Sequence, residues 1–157
     1  MKNTKYLCIS LPWAKERRRA ILSQAEKTGI DVEFVEAIAG KDLPAEVPEY
    51  DRKKRFVTFN YDLMPNEIAC VLSHRKAMRE FLESGAEYGV IMEDDAVFAE
   101  NIAAAVQEVT ERLTGWEIAK LNTDDNSKLY PIGDEGRHTG PKGRTRLRRA
   151  WSYSCPY

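Results

Sequence analysis

A repeated order of apolar runs followed by amphipathic segments constrains the fold of this chain more than any other feature. Tyr6 to Leu11 is a continuous apolar run, typical of a strand buried on both faces, and Pro12 ends it. Ala14 to Lys27 has the spacing of an amphipathic helix, and Gly29 is its stop signal. Val32 to Ile38 then predicts a second strand. The beginning of the chain is therefore predicted to form a β-α-β unit.

The same order repeats in the middle of the chain. Pro65 opens the clearest helix and Gly85 closes it, and Tyr88 to Met92 is a short apolar strand. Glu100 to Leu113 predicts another helix, and Trp116 to Leu121 a fourth strand. Strands that alternate with helices predict an α/β fold with a mostly parallel central sheet. The helix that begins at Pro65 has an apolar stripe at i, i+3/i+4 spacing, made of Ile68, Val71, Leu72, Met78, Phe81 and Leu82.

Three segments do not follow this order. Lys41 to Asp62 contains prolines and a charged run, which predicts an irregular excursion with a short edge strand over Phe56 to Tyr61. Asn122 to Gly143 is polar and rich in glycine, which predicts a loop region. Arg144 to Trp151 is a candidate for a further strand.

Length and charge exclude several classes of protein. The chain has 157 residues, so residues 1–157 are predicted to form one domain. Its 24 Lys and Arg residues against 25 Asp and Glu residues give a formal net charge of −1, which argues against a nucleic-acid partner. No apolar run approaches the roughly 20 residues that cross a bilayer, and the N-terminus lacks a signal-peptide core.

The cysteine pattern bears on the compartment of the protein. Cys8, Cys70 and Cys155 are odd in number and widely spaced, without a CxxC pair. This pattern predicts neither a disulfide framework nor a structural zinc site. A reduced, cytoplasmic protein is the resulting expectation.

The sharpest chemical feature is the acidic triplet Glu93, Asp94 and Asp95, which follows the predicted strand at Tyr88 to Met92. In open α/β sheets, ligands bind just outside the carboxyl ends of the strands. Carboxylate oxygens suit Mg²⁺ or Mn²⁺, and phosphate oxygens complete the coordination of such an ion. A metal bound to a diphosphate would stabilise it as a leaving group. The alternative is a helix N-cap with a solvated acidic turn.

A second polar feature lies on the helix that begins at Pro65. Glu67 and His74 are seven residues apart and therefore on one helical face, with Ser73 beside the histidine. This spacing allows a shared polar site without requiring one. A structural histidine is the alternative.

Two basic segments are candidates for binding an anion. Glu16 to Arg19 follows the first strand, where one arginine would reach a diphosphate or all would lie on a solvated helix face. Arg137 to Arg149 carries six Lys and Arg residues and no acidic one, and it would hold an anionic lipid or a nucleotide phosphate, or form only a charged loop and edge strand. Peripheral membrane contact through this segment is the most that the sequence predicts.

These segments together resemble the family-25 glycosyltransferases, the lipooligosaccharide-type galactosyltransferases of Gram-negative bacteria. The third and fourth of the matching blocks, at their mutual spacing, are the specific ones. The blocks are Leu7 to Leu11 with Glu16 to Arg18, Phe34 to Gly40, Asn66 to His74 (similar to Gly-Glu-x-Gly-Cys-x-x-Ser-His), Tyr88 to Ala96, and Trp116 to Leu121.

The resemblance implies a GT-A-like (Rossmann-like) fold and a metal-dependent transfer of a hexose. The donor would be a UDP-sugar, UDP-galactose in particular, and the acceptor a sugar of lipopolysaccharide or lipooligosaccharide. The enzyme would be cytoplasmic, at the inner face of the inner membrane. By match, Asp94 and Asp95 would hold Mn²⁺ or Mg²⁺ with Glu93 in support. The residues around the donor would be Ser10, Leu11, Arg18, Ala37, Gly40, Glu67, Ser73 and His74.

The sequence departs from the family pattern at both ends. Ser10 and Pro12-Trp13 replace the usual Asn-Leu-Asp/Arg character after the first strand. Trp151 to Tyr157 resembles the start of a segment that family members continue, which implies a C-terminally truncated chain without its acceptor-side part. A catalytic base would lie in that part, so no catalytic residue is assigned. The alternative function is a fragment or pseudo-enzyme that binds the UDP-sugar without transferring it.

Overall fold

The computed structural model describes residues 3–112 and 116–121 of the chain. Contacts divide the chain into two compact units, Met1–Gln107 and Glu108–Tyr157. The first unit contains all the strands described below. The loop predicted over Asn122 to Gly143, the strand over Arg144 to Trp151 and the basic segment Arg137 to Arg149 lie outside the described residues.

A three-stranded parallel sheet forms the centre of the first unit. Its strands are β1 (Thr4–Ser10), β2 (Val32–Glu36) and β3 (Tyr88–Glu93), in the order β2-β1-β3. Ser10 pairs with Glu36 and Ile9 with Glu93, so all three strands end at the same edge of the sheet. The predicted α/β class, the parallel sheet and the first three strands are confirmed.

Four helices accompany the sheet: α1 (Lys15–Thr28), α2 (Arg52–Phe59), α3 (Pro65–Glu83) and α4 (Ile102–Arg112). Gly29 ends α1 in the left-handed conformation, with a φ of 70°, as its stop signal predicted. At the start of α3 the Glu67 carboxylate accepts a hydrogen bond from Met64 N at 2.7 Å, which satisfies one exposed donor of the helix end. None of the helices in the described ranges combines the length and apolar character that crossing a bilayer requires.

The edge strand predicted over Phe56 to Tyr61 is wrong, because α2 occupies most of this segment. The Asp51 carboxylate accepts from Lys54 N at 2.9 Å, which is an N-cap contact that starts the helix. Asn60 ends it in the left-handed conformation, with a φ of 59°. These local capping contacts outweigh the β propensity of the aromatic and β-branched residues between them.

Two further strand predictions differ from the structure. β2 ends at Glu36 rather than Ile38, because Ile38 N turns away from the sheet and donates to Ser73 Oγ on α3 at 2.8 Å. Trp116 to Leu121 contains no strand in the described part of the chain. An apolar run forms a strand only where a neighbouring backbone completes its hydrogen-bond ladder, which a single sequence does not reveal.

Both faces of the central strand are buried, and successive residues of β1 point to opposite faces of the sheet. On one face Cys8 belongs to a cluster with Ile21 and Ala25 of α1. On the other face Leu7 and Ile9 pack with Ala77 of α3. The two helices therefore cover opposite sides of the sheet.

The buried face of α3 matches the predicted apolar stripe only in part. Ile68 is buried and Phe81 packs against the core, but small residues occupy much of the buried face. Met78 is 38% exposed and Leu82 is 75% exposed, so neither belongs to the core. The buried residues of the helix are Ile68, Ala69, Ser73 and Ala77.

Candidate functional site

The ends of β1 and β3 are linked by a buried polar contact. Ser10, the last residue of β1, is 2% exposed, and Asp94 immediately follows β3 and is 8% exposed. The Ser10 hydroxyl donates to Asp94 Oδ2 at 2.7 Å. Charged and polar groups therefore lie at the edge of the sheet where the parallel strands end, which is where open α/β sheets bind ligands.

Two arginines of α1 complete this contact. Arg17 Nη1 donates to Asp94 Oδ1 at 2.9 Å, and the Arg17 side chain remains 58% exposed. Arg18 Nε donates to Ser10 Oγ at 3.1 Å, and its Nη2 donates to the Ser10 carbonyl at 2.9 Å. The Arg18 guanidinium also lies 4.8 Å from the centre of the Phe34 ring. Arg18, a predicted donor-binding residue, thus braces the end of β1 in this structure.

The three carboxylates of the acidic triplet do not converge on one point. Asp94 faces α1 and both of its oxygens accept hydrogen bonds, whereas Glu93 faces Cys70 and His74 of α3. Asp95 is exposed to solvent. Asp95 is therefore the member of the triplet whose carboxylate is open to solvent and to an ion, whereas each oxygen of Asp94 already accepts a hydrogen bond. The metal roles of the triplet stay predictions.

Glu93 lies in a half-buried cluster with two residues of α3. His74 Nε2 is 3.7 Å from Glu93 Oε1, and Cys70 Sγ is 4.0 Å from the same oxygen. Burial raises the pKa of the Glu93 carboxyl above its ordinary value, and His74 opposes this while the charges of Asp95 and Asp94 add to it. Cys70 belongs to a matched sequence block but had no predicted role.

The predicted residues of α3 other than His74 make structural contacts. Ser73 is 1% exposed, and its hydroxyl donates to Ala69 O at 2.7 Å while it accepts from Ile38 N. Glu67 caps the start of the helix, as described above. Glu67 and His74 therefore lie on one helix but do not contact the same partners.

The predicted residues after β1 and β2 lie in the two segments that leave the sheet, one leading to α1 and the other passing the start of α3. Ala37 N donates to the Ser10 carbonyl at 3.0 Å, and the Leu11 carbonyl accepts from Ala14 N at 3.0 Å. Gly40 begins a short 3-10 turn, Gly40–Asp42, that packs against the start of α3. A Cβ at position 40 would lie 2.2 Å from Asn66 Oδ1, so only glycine fits there.

Two residues at this edge were missed by the sequence reasoning. Gln24 of α1 donates to Ala96 O at 3.1 Å and accepts from Phe98 N at 2.8 Å, which fixes the backbone after the acidic triplet. Trp13 is 55% exposed, and the ammonium of Lys41 lies 4.7 Å from the centre of its ring. The signal available in the sequence for Trp13 was a large aromatic residue just after the apolar run of β1 and Pro12.

The fold and this edge together define an α/β protein that gathers polar side chains at the carboxyl ends of parallel strands. The arrangement is compatible with a Rossmann-like fold. Residues 3–130 match the family described as glycosyltransferase family 25 (LPS biosynthesis protein). The chain therefore belongs to glycosyltransferase family 25, as the sequence resemblance predicted.

Two curated relatives carry the same family name. A glycosyltransferase 25 family member of Aedes aegypti is 27% identical over 144 residues, which cover 81% of this chain and 23% of the relative. One of Anopheles gambiae is 29% identical over 119 residues, which cover 70% of this chain and 20% of the relative. The chain thus spans between a fifth and a quarter of the length of these relatives.

Proposed function

We propose that this chain acts in glycosyl transfer, moving a hexose from a UDP-sugar to an acceptor sugar of lipopolysaccharide or lipooligosaccharide. Family membership supports the reaction class, and UDP-galactose is the donor that the motif resemblance favours. The observation that carries the proposal is the polar edge at Ser10 and Asp94, with Asp95 exposed beside it. A GT-A-like arrangement of the sheet is part of the same proposal.

The residues at this edge would have different roles in binding the metal ion and the diphosphate. Asp94 is held by Ser10 and Arg17, so it sets the backbone direction from which Asp95 projects. Asp95 would hold Mn²⁺ or Mg²⁺, and the ion would neutralise the diphosphate leaving group. The half-exposed Arg17 guanidinium would face the same diphosphate and stabilise its charge as the donor bond breaks.

The segment after β2 would support the nucleotide. Ala37 follows β2 beside the end of β1, and its small side chain would leave room for a flat ligand. Gly40 would act indirectly, because it is buried against the start of α3 and fixes the path of this segment. Arg18 and Ser73 would act through the backbone that they brace rather than through the donor itself. His74 and Glu93 would line the opposite side of the cleft, under α3.

Sugar transfer with and without metal tests the proposal. UDP-galactose turnover is measured for the unmodified chain with Mn²⁺, with Mg²⁺ and with EDTA, using a lipooligosaccharide acceptor. We expect Asp95→Ala to lower metal-dependent transfer by about 100-fold or more, because the ion loses its ligand. Asp31→Ala is the matched control, since Asp31 is exposed at the opposite edge of the sheet, before β2. Transfer that persists in EDTA would overturn the metal role.

A second candidate function is binding of the UDP-sugar without transfer. The hydrogen bonding of Asp94 favours it, because both oxygens of this carboxylate accept bonds within the protein. Only the exposed carboxylate of Asp95 is then left in the acidic triplet at this edge to hold an ion. Calorimetric titration with UDP and Mn²⁺, beside an assay of donor hydrolysis, separates the two functions. Binding without turnover would establish the second and exclude the first.

The proposed location is the cytoplasm, with peripheral contact at the inner face of the inner membrane. The basic segment Arg137 to Arg149 supports this contact by its charge alone. Sedimentation with vesicles that contain anionic lipid tests it, and neutral vesicles are the control.

A further inference from the structure

Cys70, His74 and Glu93 place three metal-binding atoms close together. Cys70 and His74 are four residues apart on α3, the i, i+4 spacing that puts two ligands on one helical face. Glu93 ends β3 and brings a carboxylate to that face from another element. One ligand atom from each residue lies within 4.8 Å of the others, and the described residues contain no second group of this kind.

The hydrogen bonding of His74 leaves one ring nitrogen directed at Glu93. His74 Nδ1 is 3.0 Å from the Cys70 carbonyl, which only accepts, so we assign the ring proton to Nδ1. In the neutral ring the lone pair of Nε2 then faces Glu93 Oε1 at 3.7 Å. Two acceptors that face each other need a proton or a metal ion between them. A histidine that donates through its other nitrogen to a backbone carbonyl is also the usual arrangement of a metal ligand.

The two separations from the Glu93 carboxylate are close to those of a tetrahedral zinc site. Cys70 Sγ lies 3.7 Å from His74 Nδ1, and the ligand atoms of the three residues all lie within 4.8 Å of one another. Zinc bonds of about 2.0–2.3 Å place neighbouring ligand atoms roughly 3.4–3.6 Å apart. The observed separations from Glu93 Oε1 are 3.7 Å to His74 Nε2 and 4.0 Å to Cys70 Sγ. A contraction of a few tenths of an ångström at these two separations brings the carboxylate within range of both other ligands.

We propose that Cys70, His74 and Glu93 bind a zinc-class divalent cation. Thiolate and imidazole ligands favour Zn²⁺ over Mg²⁺ and Mn²⁺, which prefer oxygen alone. Binding replaces the thiol proton of Cys70, which passes to solvent. Three protein ligands leave a fourth position for water or another small ligand. This site is separate from the ion proposed at Asp95 and does not depend on the proposed function.

The ligands come from two elements that are far apart in the sequence. Zinc motifs are recognised by closely spaced cysteines, and the three cysteines of this chain show no such spacing. The tertiary structure supplies the third ligand when β3 pairs beside β1 under α3. The competing interpretation is an ion pair between protonated His74 and Glu93 that has no affinity for metal.

Cobalt titration of the full chain tests the site, because Co²⁺ reports thiolate ligation by a sulfur-to-metal charge-transfer absorption. We expect this absorption to saturate at one Co²⁺ per chain and to vanish when Zn²⁺ is added. Millimolar Mn²⁺ or Mg²⁺ should not displace the cobalt. Circular dichroism shows whether the chain is folded. A folded chain that lacks the charge-transfer absorption would overturn the proposal in favour of the ion pair.

Variants assign the ligands. Cys70→Ser should abolish the charge-transfer absorption, and His74→Gln and Glu93→Gln should weaken Zn²⁺ binding by about 100-fold or more. Asp31→Asn is the control, because this exposed residue before β2 lies outside the cluster and should keep the cobalt spectrum. Absorption that persists in Cys70→Ser would overturn the assignment.

A measurement on the unmodified chain tests the site even if the variants do not fold. Zn²⁺ should protect Cys70 from alkylation, read peptide by peptide in a mass spectrometer, and removal of the ion with a chelator should restore the reaction. Equal alkylation of Cys70 with and without Zn²⁺ would contradict the site. Loss of sugar transfer in Asp95→Ala with an intact cobalt spectrum would separate this site from the proposed function.

Discussion

The Ser10 hydroxyl donates to the Asp94 carboxylate at 2.7 Å, although 84 positions separate the two residues in the chain. The contact joins the ends of two neighbouring parallel strands, and both residues are buried. Arg17 and Arg18 bond to the same pair from α1. The four side chains therefore form one network that fixes the edge of the sheet from which Asp95 projects.

Removal of the Ser10 hydroxyl should destabilise the protein. Ser10→Ala leaves the buried Asp94 Oδ2 and the partly buried Arg18 Nε each without this hydrogen bond, which costs about 1–3 kcal/mol of the free energy of unfolding. Urea denaturation measures the change. Ser23→Ala is the matched control, since Ser23 is exposed on α1 and its loss should change stability by less than about 0.5 kcal/mol. Equal stabilities of the two variants would show that the hydroxyl contributes nothing.

Asp94 and Asp95 are adjacent but should respond differently to truncation. Asp94→Ala removes a buried acceptor of two hydrogen bonds, with an expected loss of about 1–3 kcal/mol in the free energy of unfolding. Asp95→Ala removes an exposed carboxylate and should change that energy by less than about 0.5 kcal/mol. Thermal unfolding of both variants checks the difference. A destabilised Asp95→Ala would indicate a structural role for the exposed residue.

Gly40→Ala should destabilise the protein through a steric clash. The added Cβ would lie 2.2 Å from Asn66 Oδ1 and 2.7 Å from Asn66 N, so the start of α3 must move. Strain of this kind costs about 1–3 kcal/mol, measured by chemical denaturation.

The double variant Gly40→Ala with Asn66→Ala locates the clash. It removes the side-chain contact but keeps the backbone one, so we expect it to recover little of the lost stability. Full recovery would show that the side chain of Asn66 alone excludes a larger residue.

Asp62 should make stability sensitive to acid. The Tyr50 hydroxyl donates to Asp62 Oδ1, and this bond holds the pKa of the Asp62 carboxyl below its ordinary value, with Arg52 Nε at 2.8 Å adding to the effect. A lowered folded-state pKa stabilises the folded protein above the unfolded-state pKa, and this stability is lost as pH falls through the folded value. The difference in the free energy of unfolding between the unmodified chain and Asp62→Asn should therefore be largest near about pH 7 and disappear below about pH 4.

Tyr50→Phe is the control for this pH dependence. It keeps the carboxylate and removes the hydroxyl that donates to it, so its acid sensitivity should fall towards that of Asp62→Asn. Urea denaturation at several pH values measures all three proteins. A difference that is independent of pH would contradict the origin of the lowered pKa in the Tyr50 bond.

Elements with strong local signals were predictable from the sequence. The apolar run of β1, the glycine after α1 and the proline that opens α3 each act within a few residues, and each element begins or ends near its predicted position. The α2 helix was not predicted, because its aromatic and β-branched residues favour a strand, whereas in the structure the cap at Asp51, which accepts from Lys54 N, starts a helix. Local signals fail where two of them compete.

The candidate site was predictable only in part. Asp94 and Ser10 were both identified at strand ends, and parallel pairing brings such ends to one edge. Their direct hydrogen bond was not foreseen, since it depends on which strands are neighbours and on how the side chains are directed. Cys70 had no predicted role, because its partner Glu93 belongs to a different element.

The sequence by itself determined the α/β class, the family and the segments that carry the charged groups, because hydrophobic periodicity and motif spacing are properties of the chain. Only the tertiary structure decided which of these groups meet. It directs Asp94 inward to Ser10 and Arg17, Asp95 outward to solvent and Glu93 towards α3. The physical reason is that β3 ends at Glu93 and the chain turns at Asp94 and Asp95, so the backbone changes direction between three adjacent carboxylates and each enters different surroundings.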